Sequence, residues 1–236
     1  MNNNMKIIIK IIIVVVILIN LPLQKVYSEK VQDVVSSYTT SESKQESNGK
    51  SIRIYNTHQG EEYATKSVKE GSRYLMGLLQ QKGYEVEYET KDFELYKTKN
   101  NINYKYSYVV SKKYLNVALK SHGGYDLVID FHRDSVKKSA TTLSYKGKNY
   151  AKLMFVVGKG SSNYTQVKKM SSRLSSLLNK RIPHLSRGIY IKQRDYNQGV
   201  TKNMVLIEVG ANENTFQEIQ NSLNILSMSI DEYLSQ

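Results

Sequence analysis

The chain has 236 residues, 40% of them hydrophobic and 23% charged, which is ordinary globular usage and excludes both wholesale disorder and a polytopic membrane protein. It holds no cysteine, so disulfides, thiolate metal sites and a cysteine nucleophile are excluded, and any metal must rest on the four histidines and the carboxylates. The formal charge is +13, and residues 1–28 carry three lysines and no acid, leaving +10 for the rest. Such a balance suits a polyanion such as an anionic lipid or an acidic cell wall, or simply a solvated lysine-rich surface. The lysines are scattered and no aromatic ribonucleoprotein signature accompanies them, so nucleic acid is disfavoured as a partner.

Lys6 and Lys10 precede the apolar run Ile11–Ile19, which Asn20 and Pro22 end, and Val26-Tyr27-Ser28 offers small-residue cleavage chemistry. This is the pattern of an export signal. The run is short for a membrane span, which takes about 20 apolar residues, unless Ile7–Ile9 are counted across Lys10 to make an uncleaved anchor. Residues 1–28 are therefore expected to be a signal peptide or membrane anchor, which places the folded part outside the cytoplasmic membrane. Residues 29–50, rich in Ser, Thr, Glu, Lys and Gln, read as a polar linker.

From Ser51 onward, strand and helix patterns alternate, and residues 51–236 are expected to form one domain. Ile52–Tyr55 is a short strand. Val68, Gly71, Leu75, Leu78 and Leu79 share a helical face, and Gly83 closes that helix. Tyr84–Glu89 alternates as a second strand. A helix over Tyr106–Leu119 stops at Gly123-Gly124. Leu127–Phe131 is nearly continuous in apolar residues, as in a strand covered on both faces. Thr141–Tyr145 and Tyr150–Val157 suggest a hairpin about Lys146-Gly147-Lys148. Val167, Met170, Leu174, Leu177 and Leu178 mark a helix, Gly188–Ile191 a short strand and Met204–Val209 a buried one. Phe216, Ile219, Leu223, Leu226 and Ile230 form a terminal amphipathic helix. The alternation predicts an α/β fold with a mainly parallel twisted sheet flanked by helices. Sites in such sheets form beyond the carboxyl ends of the strands.

Three polar clusters sit at strand ends: Asn56–Tyr63, Asp130–Asp134, and Ile207–Gly210 with Glu208. His58 and Glu61 form an H-x-x-E pair that a tight turn can aim at one metal. Zinc takes His nitrogen at about 2.0–2.1 Å and carboxylate oxygen at about 2.0–2.2 Å, and a catalytic site keeps one position open for water. His132 is placed to complete the set, with Glu62 and Glu70 as rivals for the carboxylate position. Glu208 stands in an apolar strand where a lone carboxylate is costly to bury. It reads either as a general base and acid beside an activated water or as a buried ion-pair partner, for instance of Arg133. Arg133 and Asp134 are placed to orient His132, and a helix-capping or ion-pair role is equally open to Asp134. His122 and His184 read as turn and loop residues.

At these clusters the sequence resembles the stage II sporulation protein P family, exported peptidoglycan amidases of endospore-forming bacteria. The resemblance is carried by Tyr55–Tyr63, Ile129–Asp134, Tyr196-Asn197-Gln198, Leu206–Gly210, and Asn214-Thr215 with Glu218, which keep the family order across residues 51–236. It implies a zinc-dependent N-acetylmuramoyl-L-alanine amidase with an amidase- or carboxypeptidase-like fold. His58, Glu61 and His132 then match the metal ligands, and Glu208 the strand-end glutamate. It also implies a peptidoglycan substrate, a role in sporulation or wall remodelling, and cooperation with a lytic transglycosylase. Arg133 and Asn197 are the candidates for contact with the oxyanion or the glycan. The chain departs from the family pattern at Asn56, where histidine is usual, and at Glu62, where serine is usual. A zinc carboxypeptidase acting on stem peptides and a non-enzymatic wall-binding protein on an inactive amidase fold stand as rival readings.

Overall fold

The structure is a computed structural model and describes residues 48–236. The signal or anchor expected over residues 1–28 and the linker up to residue 47 lie outside the described residues. No helix among the described residues is long and apolar enough to cross a membrane.

Apolar strands flanked by amphipathic helices give a six-stranded sheet. In chain order the elements are β1 (Ser51–Tyr55), α1 (Val68–Gln80), β2 (Glu85–Tyr88), α2 (Phe93–Lys99), a 3-10 turn (Tyr104–Tyr106), α3 (Ser107–His122) and β3 (Leu127–Asp134). They continue with α4 (Lys138–Thr141), β4 (Thr142–Tyr145), β5 (Lys148–Ala151), β6 (Leu153–Gly158), α5 (Tyr164–Arg181), β7 (Ser186–Lys192), β8 (Met204–Ala211) and α6 (Phe216–Leu234). The strand order is β2-β1-β3-β8-β6-β7. Every neighbouring pair is parallel except β6 with β8. The mainly parallel sheet expected from the alternation is thus present.

Ile52, Ile54, Leu127, Ile129, Phe131, Val205 and Ile207 pack with Leu75 and Leu79 of α1, Leu174 and Leu178 of α5, and Leu223 and Leu226 of α6. The opposite face is smaller: Tyr55, Val128 and Met204 meet Phe93 of α2 and Val110, Leu115 and Ala118 of α3. With both faces covered, β3 and β8 must be apolar almost throughout, which is how they read in sequence.

Three local features differ from the reading of the sequence. Tyr150–Val157 is two strands: β5 pairs only with β4, while β6 joins the main sheet. The break falls at Lys152, whose backbone N–H donates to Thr141 and whose carbonyl accepts from Gly210. α2 and α4 are additional helices, too short to show a 3.6-residue period. The cue for α2 was its cap, since Asp92 Oδ1 accepts from the Leu95 N–H at 2.8 Å. Gly83 follows its helix at φ +85° one turn beyond Gln80 rather than directly capping it.

The motif Asn214-Thr215 with Glu218 is a capping box. Glu218 Oε2 accepts from the Thr215 N–H at 2.7 Å, and Thr215 Oγ1 accepts from the Glu218 N–H at 3.3 Å. Gly210, at φ +62°, is where β8 turns into this cap. A Cβ there would meet Ile219 Cδ1 at 2.8 Å, Asn214 Oδ1 at 2.9 Å and Ala151 Cβ at 3.0 Å. Gly210→Ala is therefore expected to destabilise the fold by about 1–3 kcal/mol through overpacking and backbone strain. Urea unfolding would check this, and an unchanged midpoint would contradict it.

Candidate functional site

β1, β3 and β8 run in parallel side by side, so their carboxyl ends share one edge of the sheet. The register sets His132 directly opposite Glu208. His58 lies just past β1, in a turn where the Glu61 N–H donates to the His58 carbonyl at 3.2 Å. His132 Nδ1 stands 3.4 Å from Glu61 Oε2, and the His58 and His132 ring centroids are 5.4 Å apart, nearly edge to face. Glu61 also accepts from the Arg133 N–H at 3.2 Å.

Asp130 lies beneath the histidines and is 0% exposed. It accepts from the Thr57 N–H at 3.0 Å and from the Thr57 hydroxyl at 2.7 Å. His132 Nε2 is 2.9 Å from Asp130 Oδ1, close enough for an ion pair but off the line of a hydrogen bond. Burial opposes a charge on His132, but the Asp130 and Glu61 carboxylates outweigh it and raise its pKa well above the usual value. His58 is pushed the other way, by burial and then by His132. The Glu208 carboxyl is pushed up to about 8, first by burial and then by nearby carboxylates, against the pull of His132.

An aromatic wall closes one side. Tyr104 stacks on His58 at 4.7 Å. Tyr108 meets His58 edge-on at 5.5 Å and lies nearly parallel to His132 at 6.4 Å. Tyr196 packs on Tyr108 at 5.4 Å.

The structure thus brings His58, Glu61, His132 and Glu208 to one place and separates their rivals. Glu62 is exposed, and Glu70 is held by the Ser67 backbone N–H at 2.8 Å and by Lys66 at 3.0 Å. The guanidinium of Arg133 donates to the carbonyls of Glu62 and Asp134, each at 3.2 Å, and not to Glu208. Asp134 pairs with Arg187 at 2.6 Å. Asn197 is buried, and its amide donates to the Tyr108 carbonyl and to Ser111 Oγ, each at 3.0 Å. Gln198 bonds the backbone of β6 at both amide ends, to Gly158 and Val156, each at 2.8 Å. His122 accompanies the exposed end of α3, and His184 lies in an exposed turn at φ +66°. Reasoning from sequence missed Thr57, Asp130, Tyr104 and Tyr108 as parts of the site. Thr57 and Asp130 stood inside the strand-end clusters, whereas nothing marked the two tyrosines.

No three His, Asp or Glu side chains among the described residues already enclose a common ion position. Pairwise, however, the donor set fits a zinc-sized cation. Two donors on one tetrahedral zinc lie about 3.4 Å apart, and two imidazole centroids about 5 Å apart. The Glu61–His132 separation of 3.4 Å and the His58–His132 separation of 5.4 Å match these spacings. His58 Nδ1 and Glu208 Oε2 are also buried without hydrogen-bond partners, which is costly unless another group satisfies them.

The fold is that of N-acetylmuramoyl-L-alanine amidases. The CwlD amidase of Clostridioides difficile, solved in complex with the GerS lipoprotein, superposes with a TM-score of 0.55 at 17% identity, over 79% of this chain and 99% of that one. An N-acetylmuramoyl-L-alanine amidase from Clostridium difficile 630 gives 0.51 at 15% identity, over 79% and 95%. At these identities the likeness concerns the fold alone. Residues 21–231 match the family model of stage II sporulation protein P, and the chain belongs to that family. The stage II sporulation protein P of Bacillus subtilis (strain 168) is 36% identical over 151 residues. That match covers 62% of this chain and 38% of the length of the relative.

The raised pKa of Glu208 has a consequence for stability. A carboxyl whose folded-state pKa lies at about 8 rather than 4.5 contributes stability that is complete below 4.5 and lost as pH rises to about 8. In chelator, Glu208→Gln should therefore lose less stability than the unaltered chain over that window. Urea midpoints at the two ends of the window measure the difference. Parallel pH dependences would show that Glu208 is not held protonated.

Proposed function

We propose that this chain is a peptidoglycan hydrolase of sporulation, cleaving the amide between N-acetylmuramic acid and L-alanine with a zinc-activated water. The observation that carries the reading is the meeting of His58, Glu61, His132 and Glu208 at one sheet edge, in a chain of this family. In this reading His58, Glu61 and His132 hold the zinc. When bound, the ion lowers the pKa of water to about 7 and polarises the amide carbonyl. Asp130 fixes the ring of His132, as carboxylates behind metal-binding histidines do. Glu208 takes a proton from the attacking water and delivers it to the departing amine. Arg133 lines the site from β3 with its guanidinium held by two carbonyls and is proposed to meet the substrate. The amide of Asn197 is already committed to α3, so its proposed part is to hold Tyr108 in place.

The substrate fits the charge of the protein, since wall peptides and teichoic acids are anionic and the chain is basic. An export signal or anchor within residues 1–28 would place the domain at the outer face of the cytoplasmic membrane or in the wall space. A lytic transglycosylase partner is proposed on the family resemblance alone.

Digestion of purified wall by the full chain tests the reading. New termini at the lactyl group of N-acetylmuramic acid are expected, whereas loss of a terminal stem residue would make it a carboxypeptidase and no release would leave a wall-binding protein. Glu208→Gln should keep about one zinc per chain and lose on the order of 10²–10⁴-fold in turnover, the usual worth of a positioned acid–base group. His132→Ala should lose metal and activity together. A Glu208→Gln chain with near-normal turnover would refute the assignment of the base.

A further inference from the structure

The mechanism above leaves one polar group in the site without work. Tyr108 is the second residue of α3, and its ring stands against both histidines. No protein group among the described residues accepts a hydrogen bond from its hydroxyl. A phenol, with an ordinary pKa of about 10, offers its O–H as a donor at neutral pH.

The surroundings spend effort on placing this side chain. Tyr196 and Asn197 are consecutive non-glycine residues in the left-handed region, at φ +54° and +59°. Such a conformation is sparsely populated for non-glycine residues and persists only where the surroundings enforce it. Both act on Tyr108: Tyr196 packs on the ring, and the Asn197 amide donates to the backbone carbonyl. Asn197 also donates to Ser111 Oγ, whose hydroxyl lies 2.9 Å from Thr57 Oγ1 and can donate to it, and the Thr57 hydroxyl donates to Asp130. One chain of hydrogen bonds therefore runs from the aspartate behind His132 to the backbone of Tyr108. It sets the phenol relative to the histidines.

We propose that Tyr108 is a catalytic residue whose hydroxyl donates a hydrogen bond to the scissile carbonyl oxygen as that oxygen becomes an oxyanion. The inference rests on the hydrolase reading above. The water oxygen bonds to the carbonyl carbon, and the electron pair of the C=O π bond moves onto the oxygen. Tyr108 stabilises that charge without giving up its proton. The C–N bond then breaks, the carbonyl re-forms and the amine leaves with the proton carried by Glu208. A neutral donor suits the task, because it binds the developing oxyanion more strongly than the ground-state carbonyl.

Tyr108→Phe in the full chain is the test, because it keeps the ring against His58 and His132 and removes one oxygen. The zinc content and melting temperature should stay at wild-type values. On purified wall, kcat should fall about 10²–10³-fold with KM little changed, as when a single oxyanion donor is removed. Affinity for a tetrahedral phosphinate analogue of the amide should fall by a similar factor, while affinity for the cleaved glycan product should not move. A phenylalanine variant within about threefold of wild type in both kcat and phosphinate affinity would overturn the assignment and leave the hydrolase reading standing. A wild-type chain that releases no lactyl termini would instead overturn both. A fall in kcat accompanied by lost zinc would assign Tyr108 a structural role and overturn the proposal.

Discussion

A carboxylate with no exposed surface must find its partners inside the protein, and Asp130 is such a group. Two of its partners come from Thr57, just past β1, and a third interaction goes to His132, two residues further along β3. Satisfying this one charge therefore draws the β1 turn onto β3. The same turn carries His58 and Glu61, so their approach to His132 follows from it. β8 needs no such tie, because the parallel ladder already sets Glu208 opposite His132. The site is the consequence of one buried charge and one strand register.

The electrostatics of the cluster point in one direction. Three carboxylates, Asp130, Glu61 and Glu208, stand around two imidazoles, in surroundings that penalise every unpaired charge. Without a cation the cluster balances itself with protons: His132 is held charged, and Glu208 is driven toward its neutral form. His58, by contrast, is driven toward the neutral imidazole, the form with a lone pair to give a metal. On the proposed reading a divalent ion takes over the work of those protons, which returns Glu208 to the ionised state a base requires. The orphaned Nδ1 of His58 and Oε2 of Glu208 mark where the protein alone leaves that balance incomplete.

The parts legible in sequence are those set by periodicity over a long element. The continuous apolar runs at Leu127–Phe131 and Met204–Val209 and the helical faces of α1, α5 and α6 appear where the pattern puts them. The three strand-end clusters were legible for the same reason, since a polar residue interrupting a buried strand has few bland explanations. Choosing among Glu61, Glu62 and Glu70 was not possible, because neighbouring residues of a turn diverge by more than the width of a site. In the fold the three part company: Glu70 is occupied in a helix cap and Glu62 faces solvent. Tyr108 was illegible for another reason. In a chain with 19 tyrosines one more at a helix start carries no signal, and its position depends on Asn197, 89 residues away. The motif around Asn197 was visible, but its contacts were not: Tyr196 packs on Tyr108, the Asn197 amide bonds α3 and the Gln198 amide bonds β6.

The two departures from the family pattern fall outside the residues proposed to hold the metal. Glu62 is exposed at the rim, where serine or glutamate makes little difference to the buried cluster. Asn56 is buried, and its amide nitrogen donates to the Phe131 carbonyl at 2.6 Å and to Ser72 Oγ at 2.9 Å, while its oxygen accepts from the Tyr88 hydroxyl at 3.1 Å. It thus ties the end of β1 to β3, α1 and β2. A histidine there offers two ring nitrogens, of which at most one accepts, so it could not reproduce all three bonds. The substitution must therefore change how the scaffold is laced together, and Ser72 and Tyr88 are the groups placed to absorb that change. On the proposed reading, divergence of this kind alters the frame and leaves the four site residues in place. An inactive copy would be expected to show the opposite, losing donors such as His58 or Glu208 that burial makes costly to keep without a function.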